Sequence, residues 1–208
     1  MKKIVIVIFD DFTDIDLFLM WDILGRNKTD WTVKIVGTKE QHRSTHGLWI
    51  TTQGNISEAN DADVVLFTSG IGVGAVMQNK QFFEAFSLNP NKQLIGSICA
   101  GSLLLVSLGI LKKGPATTHP FRKAELQALG VETIDQPLVC NGNVATAGGC
   151  LSAQYLVGWV VERLYGIEKR KETLEKIAPV GESKLYEQLT TSNMQQAMDV
   201  TKKYVEFA

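Results

Sequence analysis

The chain alternates between short, uninterrupted apolar runs and longer segments with apolar residues at helical spacing. Residues 3–9 are a near-continuous β-branched run, which is typical of a strand buried on both faces. Residues 14–24 carry apolar side chains at helical spacing and stop at Gly25. The apolar face predicted for this helix consists of Ile15, Leu17, Phe18, Trp21 and Leu24. The chain therefore opens with a buried strand followed by a helix.

The same alternation continues along the chain. Further strands are predicted at residues 31–36, 63–68, 93–98 and 131–134, with an edge excursion at 47–52 and a type I′ turn at Asn141-Gly142. Further helices are predicted at residues 80–86, 100–111, 120–129, 151–165, 168–176 and 182–208. Strands that alternate with helices form βαβ units. We therefore expect an α/β fold with an open, mostly parallel sheet covered by helices on both faces.

Length, composition and charge narrow the class of protein. A chain of 208 residues with 45% apolar and 21% charged residues favours a single domain over residues 1–208, with residues 168–208 as a C-terminal helical extension. The net charge of −1 gives no field that would hold nucleic acid or an anionic membrane. No apolar stretch approaches the roughly 20 residues of a membrane span. Because no export signal is recognisable, we expect a cytoplasmic protein with a small-molecule substrate.

Cysteine is the residue type that carries the most chemical information here. Cys99, Cys140 and Cys150 match no usual zinc spacing, so no metal site is predicted from them. A disulfide between Cys140 and Cys150 remains open, although a cytoplasmic location disfavours it.

Cys99 ends a predicted strand and begins a predicted helix, in the sequence Ser97-Ile98-Cys99-Ala100-Gly101. Small residues beside a nucleophile at such a junction are typical of a nucleophile elbow. The helix N-terminus is expected to lower the pKa of the thiol and favour the thiolate. The alternative interpretation is a buried cysteine that acts as a small hydrophobic side chain. The position at the junction favours a reactive thiol.

The glycine-rich segment Ser69-Gly-Ile-Gly-Val-Gly74 follows another buried strand and should reach the same edge of the sheet. Backbone amides of Gly70 or Ile71, together with that of Ala100, could form an oxyanion hole beside the thiol. The segment lacks the full G-x-G-x-x-G arrangement after the first strand, so we do not expect a nicotinamide cofactor.

Candidate proton-transfer groups lie just past the first strand and in the segment Thr117-Thr118-His119-Pro120. Four aspartates, Asp10, Asp11, Asp14 and Asp16, follow the first strand. Asp16 lies between apolar neighbours, where a carboxylate is costly unless it is paired, so it is either the partner of the thiol or a first-turn residue that favours the helix dipole. His119 could form a Cys–His pair, or could have a structural role before the proline.

Four segments occur in this order along the chain: VIVIFDDFTDIDL, FTSGIGVGAV, GSICAGSLLLVSLGILKKGPATTH and NGNVATAGGCLSAQYLVGWVVERLYG. Together they resemble the ThiJ/PfpI superfamily over roughly residues 1 to 170. This superfamily has a class I glutamine amidotransferase-like fold. The resemblance is greatest to its isonitrile hydratase branch. It implies a flavodoxin-like three-layer sandwich with a cysteine on the elbow, usually as a homodimer, and an aspartate in an L-D-L-like context that matches Asp16. Gly101, Ser102 and His119 are expected to support the site.

The resemblance also implies an activity. In the hydratase branch, a cysteine such as Cys99 attacks the isocyanide carbon, an aspartate such as Asp16 manages protons, and the resulting thioimidate is hydrolysed to an N-substituted formamide without metal or cofactor. This chain departs from the branch at Leu19-Met20, at Ser69-Gly70 and at Ala100. Proteolytic relatives carry histidine at the position of Ala100, so proteolysis is not expected. The alternatives are a glyoxalase, deglycase or amidase-like hydrolase, or a non-catalytic redox-sensing or ligand-binding protein that uses Cys99.

Overall fold

The computed structural model describes residues 1–112 and 114–205, and the side chains of 1–112 and 114–200. The last residues of the predicted C-terminal helix, 206–208, lie outside this range. The strands are β1 (Lys2–Val7), β2 (Trp31–Gly37), β3 (Gln41–Arg43), β4 (Trp49–Thr51), β5 (Gly54–Asn55), β6 (Val64–Phe67), β7 (Leu94–Ile98), β8 (Pro115–Ala116), β9 (Glu132–Thr133), β10 (Leu138–Asn141) and β11 (Val144–Ala147). The α-helices are α1 (Asp14–Gly25), α2 (Val73–Met77), α3 (Lys80–Glu84), α4 (Ser102–Ser107), α5 (Lys123–Ala128), α6 (Ala153–Tyr165), α7 (Ile167–Glu175) and α8 (Ser183–Val205). Short 3₁₀ turns lie at Ile56–Asp61, Cys99–Gly101, Pro120–Arg122 and Cys150–Ser152.

Seven of the described strands form the central sheet, in the order β10-β11-β7-β6-β1-β2-β5. Neighbouring strands are parallel except for the antiparallel pair of β10 and β11. β6 and β7 are buried along their whole length and β1 is buried from Ile4 onward, as expected for central strands covered on both faces. The predicted α/β fold with a mostly parallel sheet is confirmed.

Helices cover the sheet in two groups. α1, α6, α7 and α8 pack on one another, and a second group consists of α2, α4 and α5. α7 and α8 occupy the segment predicted as a helical C-terminal extension, and both pack on α6. Within the described residues, no helix combines the length and the apolarity needed to cross a membrane.

The buried face of α1 differs from the prediction in a way that matters for the site. Ile15 and Trp21, predicted on the apolar face, are partly exposed, whereas Asp16, Met20 and Ile23 are buried. The helix is apolar nearly all the way round, so the sequence pattern does not decide which face turns inward. The observed rotation carries Asp16 into the interior.

Two further local predictions are corrected. The helix predicted at residues 100–111 begins with a 3₁₀ turn and ends at Ser107, because Gly109 adopts a φ of 68°, as glycines that end helices commonly do. The hairpin between β10 and β11 has Gly142 and Asn143 as its central residues. Since Gly142 alone of these two has a positive φ, the turn follows the type II′ pattern rather than the predicted type I′.

Candidate active site

The candidate nucleophile Cys99 lies directly after β7, in a backbone conformation that side chains rarely adopt. Its φ is 56°, in the left-handed region, where a residue other than glycine costs roughly 1–2 kcal/mol. The residue is 7% exposed. Gly101, two residues on, is needed for close packing, because a Cβ there would lie 2.6 Å from the carbonyl oxygen of Thr68. This is the geometry of a nucleophile elbow.

Hydrogen bonds from two hydroxyl groups hold the elbow in place. Oγ1 of Thr118 donates to the carbonyl oxygen of Cys99 at 3.1 Å, and Oγ of Ser102 approaches the same oxygen at 3.4 Å. Ser102, predicted to support the site, therefore contacts the backbone of the elbow. Strained residues persist only where the surrounding structure holds them, and these bonds supply part of that hold.

The hydroxyl of Ser69 contacts one of the predicted oxyanion donors, the backbone amide of Ala100. The amide of Ala100 donates to Oγ of Ser69 at 3.0 Å, so this predicted oxyanion donor already has a partner. Gly70 forms an isolated antiparallel bridge with Phe12, and the side chain of Ile71 is 73% exposed. From the sequence, Ser69 was noted only as a departure from the hydratase branch, because only the fold brings its hydroxyl to the elbow.

Asp16 lies in the first turn of α1 and is fully buried. Neither of its carboxylate oxygens has a hydrogen-bond partner. Burial raises the pKa of Asp16 from its usual 3.8 to about 6, although the thiol of Cys150 acts in the opposite direction. A buried carboxyl group of this kind can accept and return a proton near neutral pH.

Asp16, Cys99 and Cys150 come together in one group, which we call the thiol–carboxyl cluster. A carboxylate oxygen of Asp16 and the two Sγ atoms all lie within 4.8 Å of one another. Cys150 lies in the 3₁₀ turn that precedes α6 and is partly buried. Sequence reasoning considered Cys150 for zinc binding and for a disulfide with Cys140, and none of the three cysteines is in a disulfide.

The electrostatic environment of Cys99 differs from the prediction. Burial raises the pKa of the Cys99 thiol above its ordinary value, and the charge of Asp16 adds to this, while Ser69 and the Ala100 amide partly offset it. Burial and Asp16 also raise the pKa of Cys150 to about 12. The amide at the helix N-terminus does lower the pKa of Cys99, as predicted, but the predicted net lowering is wrong, because the loss of water outweighs the amide. Cys99 needs a base at the moment it reacts.

The remaining candidates have other partners. His119 caps the 3₁₀ turn at Pro120–Arg122, where its Nδ1 accepts from the amide of Phe121 at 3.3 Å. Asp10 binds His42 and Lys39, and Asp14 binds His46. Of the aspartates that follow β1, Asp16 is the one whose carboxyl joins the thiol–carboxyl cluster.

The cluster is also where a metal ion would find donors. Among the described side chains, Asp16, Cys99 and Cys150 form the group of metal-ligating residues close enough to share one ion. Two thiolates and a carboxylate suit zinc, which binds such donors in sites with an open fourth position. The expectation that no metal takes part remains a prediction.

A strained cysteine at the carboxyl edge of a parallel sheet, with a buried carboxyl group beside it, defines the class of α/β proteins that carry a thiol on a nucleophile elbow. The model of the DJ-1/PfpI family matches residues 2–163. The chain belongs to the DJ-1/PfpI family, which confirms the resemblance seen in the sequence.

Relatives within this family include enzymes of different kinds. The chain is 28% identical over 126 residues to an isonitrile hydratase of Pseudomonas putida, covering 60% of this chain and 55% of the hydratase. It is 27% identical over 166 residues to a glutathione-independent glyoxalase DJ-1 of Schizosaccharomyces pombe, covering 72% and 84% of the two chains. The structure of a ThiJ/PfpI family protein from Pseudomonas syringae superposes with a TM-score of 0.75 at 19% identity, over 96% of this chain and 90% of that one. This last similarity confirms the flavodoxin-like fold.

Proposed function

We propose that this protein is a cysteine-dependent hydratase that converts small isocyanides to N-substituted formamides. The observation that carries the proposal is the buried Asp16 carboxyl group, which has no hydrogen-bond partner and lies within 4.8 Å of the Cys99 sulfur. The similarity to an isonitrile hydratase over about half of that enzyme's length supports the same substrate class.

In the first step, one proton moves from Cys99 to Asp16 and then to the substrate carbon. The Asp16 carboxylate takes the proton of the Cys99 thiol as the sulfur attacks the terminal carbon of the isocyanide. That carbon then accepts the proton from Asp16, which gives a neutral thioimidate bound to Cys99. The isocyanide carbon thus gains a sulfur and a hydrogen, and both come from the pair. A carboxyl group with a pKa of about 6 is suited to both transfers.

The second step consumes one water molecule. Water adds to the thioimidate carbon, and Asp16 takes one proton from this water and delivers it to the imine nitrogen. The carbon–sulfur bond then breaks, the hydroxyl proton is returned to Cys99 through Asp16, and the formamide leaves. The sum of the two steps is addition of water without any change in oxidation state.

The test is a comparison of two substrates with one enzyme. Purified protein is incubated with a short alkyl isocyanide and, in parallel, with methylglyoxal, and the formamide and lactate products are quantified by chromatography. We expect formamide with the wild type and with Cys140→Ala, a buried cysteine outside the cluster, and none with Cys99→Ala. Absence of formamide at high enzyme concentration, with lactate formed instead, would reassign the protein to glyoxalase chemistry.

A further inference from the structure

We propose that Cys99 and Cys150 form a redox-active dithiol that reduces hydroperoxides, with Cys99 as the attacking thiol and Cys150 as the resolving thiol. This activity is separate from isocyanide hydration, because it needs the second cysteine and no carbon substrate.

The strand order places the two cysteines side by side. β7 and β11 are neighbouring parallel strands, and their last residues, Ile98 and Ala147, are register partners. Cys99 follows the first of these strands directly, and Cys150 follows the second three residues on. Because neighbouring strands lie about 4.8 Å apart, side chains that leave the two strand ends at the same edge can meet. The proximity is therefore a property of the sheet as well as of the side chains.

The distance between the sulfurs is compatible with a disulfide after a small movement. The Sγ atoms lie within 4.8 Å of each other, and both cysteines are free thiols. A disulfide needs about 2 Å between sulfurs, and a change of rotamer at a cysteine moves Sγ by up to about 3 Å. Cys150 has room for such a change, since it is partly exposed and lies in a single 3₁₀ turn after Gly149.

Asp16 supplies the proton transfers that both chemical steps require. It accepts the Cys99 proton as the sulfur attacks the outer peroxide oxygen, the O–O bond breaks, and the proton passes to the departing oxygen to give water or an alcohol. Cys99 is then a sulfenic acid. Cys150 loses its proton to Asp16 and attacks that sulfur, the S–O bond breaks, and the hydroxyl leaves as water. The two thiols have supplied two electrons to the peroxide, and a dithiol reductant restores them.

The primary experiment uses the wild-type chain and intact-mass measurement. Treatment with hydrogen peroxide, followed by denaturation without reductant, should lower the mass by about 2 Da, and dithiothreitol should restore it. Peptide mapping should locate the cross-link between Cys99 and Cys150, and the product should remain monomeric on a non-reducing gel. A gain of oxygen atoms without a cross-link, or a covalent dimer, would overturn the proposal.

Matched variants separate the two thiols from the third cysteine. Cys140→Ala should form the same cross-link as the wild type, because Cys140 lies in β10 outside the cluster. Cys150→Ala should instead gain up to three oxygen atoms on Cys99. With excess dithiothreitol, the wild type should consume peroxide over many turnovers, whereas Cys150→Ala should stop after a few. Sustained turnover by Cys150→Ala, without over-oxidation, would show that Cys150 does not resolve the sulfenic acid.

Discussion

Two buried ionisable side chains in this protein, Arg170 and Asp16, differ in their hydrogen bonding. Arg170 of α7 is 3% exposed, and its guanidinium donates to Glu162 at 2.6 Å and to Thr191 at 2.9 Å. Asp16 of α1 is fully buried, and its carboxylate has no hydrogen-bond partner.

The difference indicates what each charge does. Arg170 joins α7 to α6 and α8, and its matched partners offset the cost of removing it from water. At Asp16 the Cys150 thiol offsets only a smaller part of that cost, so Asp16 destabilises the fold when it is ionised. A carboxyl group that lowers stability and lies beside a strained thiol is best explained by a role in proton transfer. The following variants test this comparison, beginning with the largest expected effect.

Cys99→Ala tests whether the thiol beside the Asp16 carboxyl group is required for the reaction. We expect kcat/KM for isocyanide hydration to fall at least about 1,000-fold, because no other described thiol has the elbow geometry. Stability should change little, since alanine adopts the same backbone with the same strain. Cys140→Ala is the control and should retain activity. Full activity in Cys99→Ala would contradict the proposal that Asp16 is buried in order to transfer the proton of Cys99.

Arg170→Met tests the structural half of the comparison. Removal of the guanidinium leaves Glu162, with a side chain 20% exposed, without its partner, and we expect a loss of about 3–4 kcal/mol in the free energy of unfolding. Urea denaturation measures this, and kcat/KM of the folded enzyme should be unchanged. Arg163→Met, which removes exposed contacts to Gly142 and Asn143, should cost less than about 1 kcal/mol. Equal losses in the two variants would argue against a special role for the buried pair.

Asp16→Asn should stabilise the protein at alkaline pH. The unfolded carboxyl ionises near 3.8 and the folded one near 6, so the stability of the wild type falls as the pH rises through this window and stays low above it. The difference corresponds to about 3 kcal/mol in favour of the asparagine variant at pH 8, and it disappears below about pH 3. Urea denaturation across pH measures it. Asp22→Asn, on the exposed face of α1, is the matched control and should not stabilise the protein at pH 8, because it only removes an exposed ion pair with Arg26.

The same variant should also impair the reaction. Because the ionised form of Asp16 accepts the Cys99 proton, wild-type kcat/KM should fall tenfold per pH unit below about pH 6. Asp16→Asn should lose at least about 100-fold in kcat/KM at pH 7.5 and show no such acid limb. A variant that is both more stable and fully active would contradict the assignment of Asp16 as the base.

Ser69→Ala has the smallest expected effect. It removes the hydroxyl that accepts from the Ala100 amide and that stabilises the Cys99 thiolate. We expect a loss of about 1 kcal/mol in stability and about tenfold in kcat/KM, with the pKa of Cys99 raised further. Ser107→Ala, whose hydroxyl donates to Leu103 within the same helix, is the matched control. Thiol titration with an alkylating reagent across pH distinguishes the two variants.

Much of the fold follows from local patterns, whereas the composition of the site does not. The continuous apolar runs predict β1, β6 and β7 because a strand buried on both faces needs nothing else to identify it. Cys99 could be found because its neighbours in sequence also build the elbow. Cys150 was not assigned to the site, since fifty residues lie between it and Cys99 and only the pairing of β7 with β11 brings them together.

The electrostatics were predictable in part. The apolar neighbours of Asp16 indicate a costly carboxylate, and the raised pKa agrees with that expectation. The pKa of Cys99 was predicted in the wrong direction because the extent of its burial depends on packing from several elements. The sequence shows that a helix N-terminus follows Cys99. It does not show how much water the fold removes from around the thiol.

The bond from Thr118 to the Cys99 carbonyl has a consequence for biosynthesis. A residue forced into the left-handed region keeps that conformation only while its surroundings hold it, and Thr118 and Cys150 both follow Cys99 in the order of translation. A nascent chain that has emerged only as far as the elbow therefore carries an ordinary, flexible cysteine. The reactive geometry arises only after the ribosome has delivered Thr118 and the segment that carries β10, β11 and Cys150, so truncated products lack the nucleophile in its active form.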